Sequence, residues 1–200
     1  MNVQQKYHDL LVQAVRRRLI PNKTQESRDW FRAKALEIDS IGSKQAYIRQ
    51  GTEKDSPRKR HTTKNLEIGS MYVYNYDPKW KNELPVYDTF PLIFPFRENA
   101  KYFWGINMHY LHPKQRAELM DILYTITTDK RYNHNTKLRL TWKVLKEIAK
   151  SELYAPTVHC YLKNHVKSRL KYIPPVEWDF ALMLPLAKFR GPDAAKYRGH

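Results

Sequence analysis

Residues 69–112 read GSMYVYNYDPKWKNELPVYDTFPLIFPFRENAKYFWGINMHYLH, and the reading of this stretch decides the fold. It contains Tyr72, Tyr74, Tyr76, Tyr87, Phe90, Phe94, Phe96, Tyr102, Phe103 and Tyr110, together with Trp80 and Trp104. Aromatic side chains favour a pleated, half-buried surface, so strands are expected over 70–76, 90–96 and 102–110. Tyr72, Tyr74 and Tyr76 recur at every second position, which puts them on one face of a strand. Such a stripe is better read as the core face of a sheet than as a platform for stacking bases. Asp77-Pro78 closes the first strand, because proline lacks an N–H and restricts the residue before it. The short polar connection 97–101 makes the second and third strands a hairpin. Pro91 and Pro95 suit an edge strand or a bulge, and Trp104 and Tyr110 are expected to be buried. The fold class is therefore α+β, a small aromatic antiparallel β meander or barrel flanked by N-terminal and C-terminal helices.

Outside this centre the sequence is strongly basic. The chain of 200 residues has a formal net charge of +16. Residues 1–34 carry +5, 51–64 carry +3, 65–129 carry −2 and 130–172 carry +9. A near-neutral β centre between basic segments points to an anionic partner, most readily nucleic acid. Three parts are expected: an N-terminal helical region over 1–50, a basic linker over 51–65, and an α+β domain over 66–200 with basic C-terminal helices. No apolar run approaches the roughly 20 residues that span a bilayer, so no membrane partner is expected. The single Cys160 excludes an internal disulfide and fits a reducing compartment.

The candidate DNA-binding residues follow from the periodicity of the helices. Residues 3–19 read as a helix with Arg16, Arg17 and Arg18 in its last turn, where they could equally cap the negative end of the dipole. A second helix is expected over 25–38. The segment 42–64 has few apolar residues and carries Arg58, Lys59 and Arg60 in a loop. Proline at position 113 opens a helix with Ala117, Met120, Leu123, Tyr124 and Thr127 on its apolar face. The next helix, over 136–150, separates Leu138, Trp142, Leu145 and Ala149 from Arg139, Lys143, Lys146 and Lys150. A further helix after Pro156 would set His159, Lys163, Lys167 and Lys171 in a second basic line. Beyond Pro174-Pro175, the residues VEWDFALML form a short helix or a closing strand. The alternation of Phe180, Leu182 and Leu184 leans toward the strand.

No phosphate-binding glycine loop, zinc-protease motif or nucleophile elbow is present. His109 and His112 lack the further ligands of a metal site, and packing or hydrogen bonding accounts for them better. Asp77, Asp88, Glu118 and Asp121 are the acids a metal-dependent nuclease would draw on, but their spacing does not make them converge. No catalytic residue, metal ligand or cofactor is assigned.

Four segments carry a family resemblance: GSMY at 69–72, YDPK at 76–79, LPVYDTFPL at 84–92 and GINMHYL at 105–111. With VHCYLKNHVKSRLKYIPPVEWDFALMLPLAKF, they resemble the DNA end protector proteins of T-even-like contractile-tailed phages and their cyanophage relatives. The resemblance covers about residues 66–190. Ser70 stands where the family pattern has lysine, Val86 where it has tyrosine, and the N-terminal region diverges. The resemblance implies a virion protein, present in the host cytoplasm during assembly. It would bind the ends of packaged double-stranded DNA through the phosphate backbone, near the portal or neck. Its other partners would be portal, neck or tail proteins. The alternatives are a structural tail, baseplate or neck component with no direct DNA role, and more remotely a nuclease.

Overall fold

The computed structural model describes residues 66–173, 175 and 178–197, and positions 12, 13, 16, 17, 26, 30, 33 and 34 of the N-terminal part. The linker over 51–65 lies outside the described residues, as do most of the two expected N-terminal helices. Positions 12, 13 and 16 are helical, as are 26, 30, 33 and 34.

The strands are β1 (Met71–Val73), β2 (Tyr87–Asp88), β3 (Leu92–Glu98), β4 (Tyr102–Asn107), β5 (Val158–Leu162), β6 (Lys171–Ile173) and β7 (Phe189–Arg190). The helices are α1 (Pro113–Thr128), α2 (His134–Ile148) and α3 (Trp178–Met183). Five strands form an antiparallel sheet in the order β5-β4-β3-β1-β6, and β2 pairs with β7 in a second, small sheet. The class is α+β, as the sequence predicts. The β3–β4 hairpin turns at Asn99, whose Oδ1 accepts from the N–H groups of Lys101 (2.9 Å) and Tyr102 (2.8 Å).

The sheet buries both faces. Met71, Val73, Leu92, Phe94 and Ile106 pack toward the helices, against Leu119, Met120, Leu123, Leu145 and Trp178. Tyr72, Tyr74, Tyr76, Ile93, Phe103 and Tyr161 fill the opposite, concave side. The tyrosine stripe is therefore core. The crossover between β5 and β6 folds under this side and ties the edge at β5 to the end of β1. Asp77 N–H donates to the His165 carbonyl (3.1 Å), Lys167 N–H to the Asn75 carbonyl (2.8 Å), and Leu162 N–H to the Tyr76 hydroxyl (3.1 Å). β5 and β6 remain the two edges of the sheet, so it is an open antiparallel sheet and not a closed barrel.

Local chemistry accounts for the helices. Pro113 opens α1, where a missing N–H costs nothing. The His112 imidazole and the Gln115 amide cap its first turn reciprocally. Asn133 caps α2 by accepting from Thr136 N–H at 2.9 Å. The Trp142 indole N–H donates to the Phe96 carbonyl at 2.9 Å and pins α2 to β3. Gly69 turns into β1 at φ 87°, and a Cβ there would lie 3.2 Å from the Leu138 carbonyl oxygen. Among the described residues no helix is long and apolar enough to cross a membrane.

Five expectations are corrected. Residues 156–171 are not a helix but a 3₁₀ turn, β5, a second 3₁₀ turn and the start of β6. Pairing of Val158–Leu162 with β4 outweighs the four-residue spacing of the basic side chains. Residues 178–183 form α3 and not a strand: Trp178, Ala181 and Leu182 are buried at helical spacing. Pro95 lies not on an edge strand but on the central one, at the register shift between Pro95 and Arg97, so of the two expectations for it the bulge holds and the edge does not. The buried face of α1 is Arg116, Leu119, Met120 and Leu123, with Ala117 and Tyr124 exposed. Trp104 and Tyr110 are only half-buried. Trp104 stands at the edge of the core, with the Arg97 guanidinium 4.6 Å from its ring centroid.

Candidate nucleic-acid interface

The basic residues singled out above fall into unequal groups. Arg139, Lys143, Lys146 and Lys150 are all exposed along one side of α2 and the residue pair that follows it. The opposite side of α2 buries Thr141 and Leu145, so the apolar contact orients the cations outward. Lys146 lies 5.1 Å from the Trp142 ring centroid, and Lys150 is paired with Glu147 at 2.8 Å. Among the described residues Arg139 and Lys143 make no ion pair, which leaves both charges available to an anion. The second group is dispersed. Lys163 is half-buried and paired with Glu98 at 2.9 Å, Lys167 is exposed on the crossover, and Lys171 is buried in β6 opposite Val73. The expected second cationic helix therefore does not exist. Arg16 and Arg17 are exposed, with the Arg17 guanidinium 5.4 Å from the Trp30 ring centroid. Arg18, Arg58, Lys59 and Arg60 lie outside the described residues.

A buried polar network sits where the β centre meets the C-terminal segment. The Asp88 carboxylate accepts from Phe90 N–H (2.9 Å), Lys188 N–H (3.1 Å), the Asn107 amide (3.3 Å) and His109 Nδ1 (2.6 Å). Burial alone would raise the Asp88 pKa. The charge and hydrogen bond of His109, with the two backbone donors, outweigh it and hold the carboxyl below its ordinary value. An ionised carboxylate only accepts, so His109 Nδ1 carries the proton. The Asn107 amide also donates to the Tyr161 hydroxyl at 3.2 Å, and its oxygen accepts from His109 N–H at 3.0 Å. Arg116 closes the cluster by donating to the carbonyls of Leu111, His109 and Leu182. Burial pushes its pKa down to about 10, against the pull of Asp88. His109 is 1% exposed and Asp88 4%, and their contact clamps β2 to the turn that follows β4. Asp77 is tied to Lys81, and Glu118 and Asp121 are exposed on α1. Among the described residues no group of three His, Cys, Asp or Glu is placed to hold a metal ion.

Beside this clamp opens a cleft of about 430 Å³. Its walls come from the loop after β1 (Tyr76, Pro78, Lys79, Trp80), from Leu84, Val86, Tyr87 and Asp88, from Tyr102 and Tyr110, and from β5. A match to the family described as phage T4 terminal DNA protecting protein runs over residues 3–198. The chain belongs to that family. Membership thus extends through the N-terminal region, beyond the segments whose motifs are legible. No curated protein and no solved structure matches the chain.

Sequence reasoning missed the Asp88–His109 clamp and the cleft. The clamp had a signal: Asp88 and His109 are lone ionisable residues inside the apolar runs VYDTFPLIFPF and WGINMHYL, and two such residues need each other once buried. The cleft had none, because its walls lie more than 80 positions apart, from Tyr76 to Leu162.

Proposed function

We propose that the protein binds the ends of packaged double-stranded DNA in the phage particle, near the portal or neck, and shields them without catalysis. Family membership supports the role, and the exposed cationic row on α2 supports the mode of binding. Arg139, Lys143, Lys146 and Lys150 hold phosphates, which are identical along any duplex and carry no sequence information. Affinity arises from counterion release, so it falls steeply with salt.

A salt titration of duplex binding tests this reading. For a Lys143→Glu/Lys146→Glu variant, the slope of log K against log salt should flatten by about 0.9 for each phosphate that the variant no longer neutralises. Weakening should be similar for unrelated sequences. Folding should be intact, because exposed helix positions away from special contacts change stability by only about 0.5 kcal/mol. Failure of the wild-type protein to bind DNA at about 50 mM salt, where a multi-phosphate binder is strong, favours a structural neck or tail component instead.

A further inference from the structure

Phosphate contacts hold a duplex but cannot distinguish its end from its middle, since the backbone is the same at both. What sets an end apart, besides its terminal phosphate and hydroxyl groups, is a last base that exposes a stacking face and is the easiest to unpair. The cleft beside the Asp88 clamp has the chemistry to use that difference. At about 430 Å³ it falls within the range of small-ligand sites, roughly 300–1,000 Å³. Six rings line it: Tyr76, Trp80, Tyr87, Tyr102, Tyr110 and Tyr161. Trp80 is 54% exposed, more than any other Trp, Tyr or Phe among the described residues. Lys79 sits 4.5 Å from the centroid of its ring and brings a cation to the mouth of the cleft. Arg190 is exposed on β7 directly opposite Tyr87, and residues paired in this way share a face. The Asp88 carboxylate, the acid in the wall, is already engaged by four donors. His159 adds a ring tilted against Tyr110, centroids 4.2 Å apart, and its buried Nε2 finds no hydrogen-bond partner among the described residues.

The geometry points to a pocket for the terminal nucleobase of a DNA strand, stacked among these rings with its phosphate at Lys79 and Arg190. This assignment rests on the reading of the protein as a binder of DNA ends, and it supplies what the α2 face lacks: preference for an end. The cleft serves end selection and α2 serves general affinity.

The test compares a linear duplex with a covalently closed minicircle of the same sequence, in direct competition, for the wild type and a Trp80→Ala/Tyr102→Ala variant. Base–aromatic stacking is worth enough that the variant should lose about tenfold to a hundredfold in affinity for the linear form. Its affinity for the minicircle should not change. The Lys143→Glu/Lys146→Glu variant should weaken both forms alike. A second measurement needs no cleft variant. Cys160 is the chain's only cysteine, is exposed and lines the cleft, so linear DNA should slow its alkylation and the minicircle should not. Burial raises the Cys160 pKa, so the alkylation belongs at mildly alkaline pH. An unchanged preference for linear DNA in the cleft variant, or equal Cys160 protection by both forms, overturns the pocket and leaves the α2 reading standing. Wild-type protein that binds neither form overturns both.

Discussion

The two faces of the central sheet are built from the same strands but from different chemistry. The helix side uses Met71, Val73, Leu92, Phe94 and Ile106, which have no hydrogen-bonding side-chain groups to satisfy. The concave side uses tyrosines whose rings pack edge-on or stacked: Tyr74 with Phe103 at 5.9 Å, Tyr76 with Tyr161 at 5.0 Å, Phe103 with Tyr161 at 5.4 Å. Several of their hydroxyls act as fasteners. Tyr72 accepts from Glu67 N–H, Tyr76 from Leu162 N–H and Tyr161 from the Asn107 amide. Each fastener ties a loop or a neighbouring strand to the sheet. The helix side thus carries bulk stability, while the concave side fixes the position of the segments that wall the cleft. Tyr76 and Tyr161 belong to both the concave core and that wall.

The largest test of this division is Phe94→Ala. Phe94 is fully buried on the helix side, perpendicular to Trp178 at 4.8 Å. Removal of the ring should cost about 3–5 kcal/mol, read as a lower denaturant midpoint with an unchanged slope. Under conditions where the variant is folded, the salt dependence of DNA binding should match the wild type. A small stability change would mean that the helix side is not the principal core.

A pH titration probes the concave side. Burial pushes the His159 pKa down to about 4 from its ordinary value near 6.5, with Asp88 pulling weakly the other way. The unfolded chain therefore takes up this proton first as the pH falls. The contribution is complete above about pH 6.5 and is lost progressively toward pH 4, to a total of about 1–3 kcal/mol. A His159→Gln variant should show a flatter stability profile in that window, measured as thermal midpoint against pH. The Asp88 carboxyl is also held below its ordinary value, but for an acid a lowered pKa favours the charged form. Its stabilisation is present above the ordinary carboxyl range and is lost only at lower pH, as the folded value is crossed. The two windows separate the cleft histidine from the clamp. A wild-type profile that stays flat from pH 6.5 to 4 would contradict the buried, neutral imidazole.

Much of this architecture was legible because it is local. The tyrosine alternation placed one face of β1, Pro113 marked the start of α1, and the basic row of α2 followed from its 3.6-residue period. The misreadings arose where two periods coincide. His159, Lys163, Lys167 and Lys171 are spaced four apart, yet VHCYL also suits a strand, and the free edge of β4 decides between them. Phe180, Leu182 and Leu184 alternate, yet Trp178, Ala181 and Leu182 also make a helical stripe, and the helix-side core selects the second pattern. No short window contains the decisive partner in either case. The cleft shows the same limit more strongly, since it exists only because the crossover after β5 returns to Tyr76 and Asp77.

The finest test of the two-face comparison is Tyr74→Phe, for which the smallest effect is expected. Tyr74 is fully buried, and its hydroxyl finds no hydrogen-bond partner among the described residues. Burial, with the neighbouring Tyr161, Tyr76 and Asp88, pushes its phenol pKa well above the ordinary value, so the group stays neutral. An unsatisfied buried hydroxyl carries its desolvation penalty without compensation. Its removal leaves the ring, and with it the edge contacts to Phe103 and Tyr161, in place. Stability should therefore change by no more than about 0.5 kcal/mol, or rise by up to about 1 kcal/mol. Tyr161→Phe is the control: it strips the Asn107 amide of an acceptor inside the clamp and should cost about 1–2 kcal/mol. Chemical denaturation of the two variants in parallel reads the difference directly. Equal destabilisation would mean that the Tyr74 hydroxyl is also a fastener. Tyr74 would then join Tyr72, Tyr76 and Tyr161 in holding the concave face in shape.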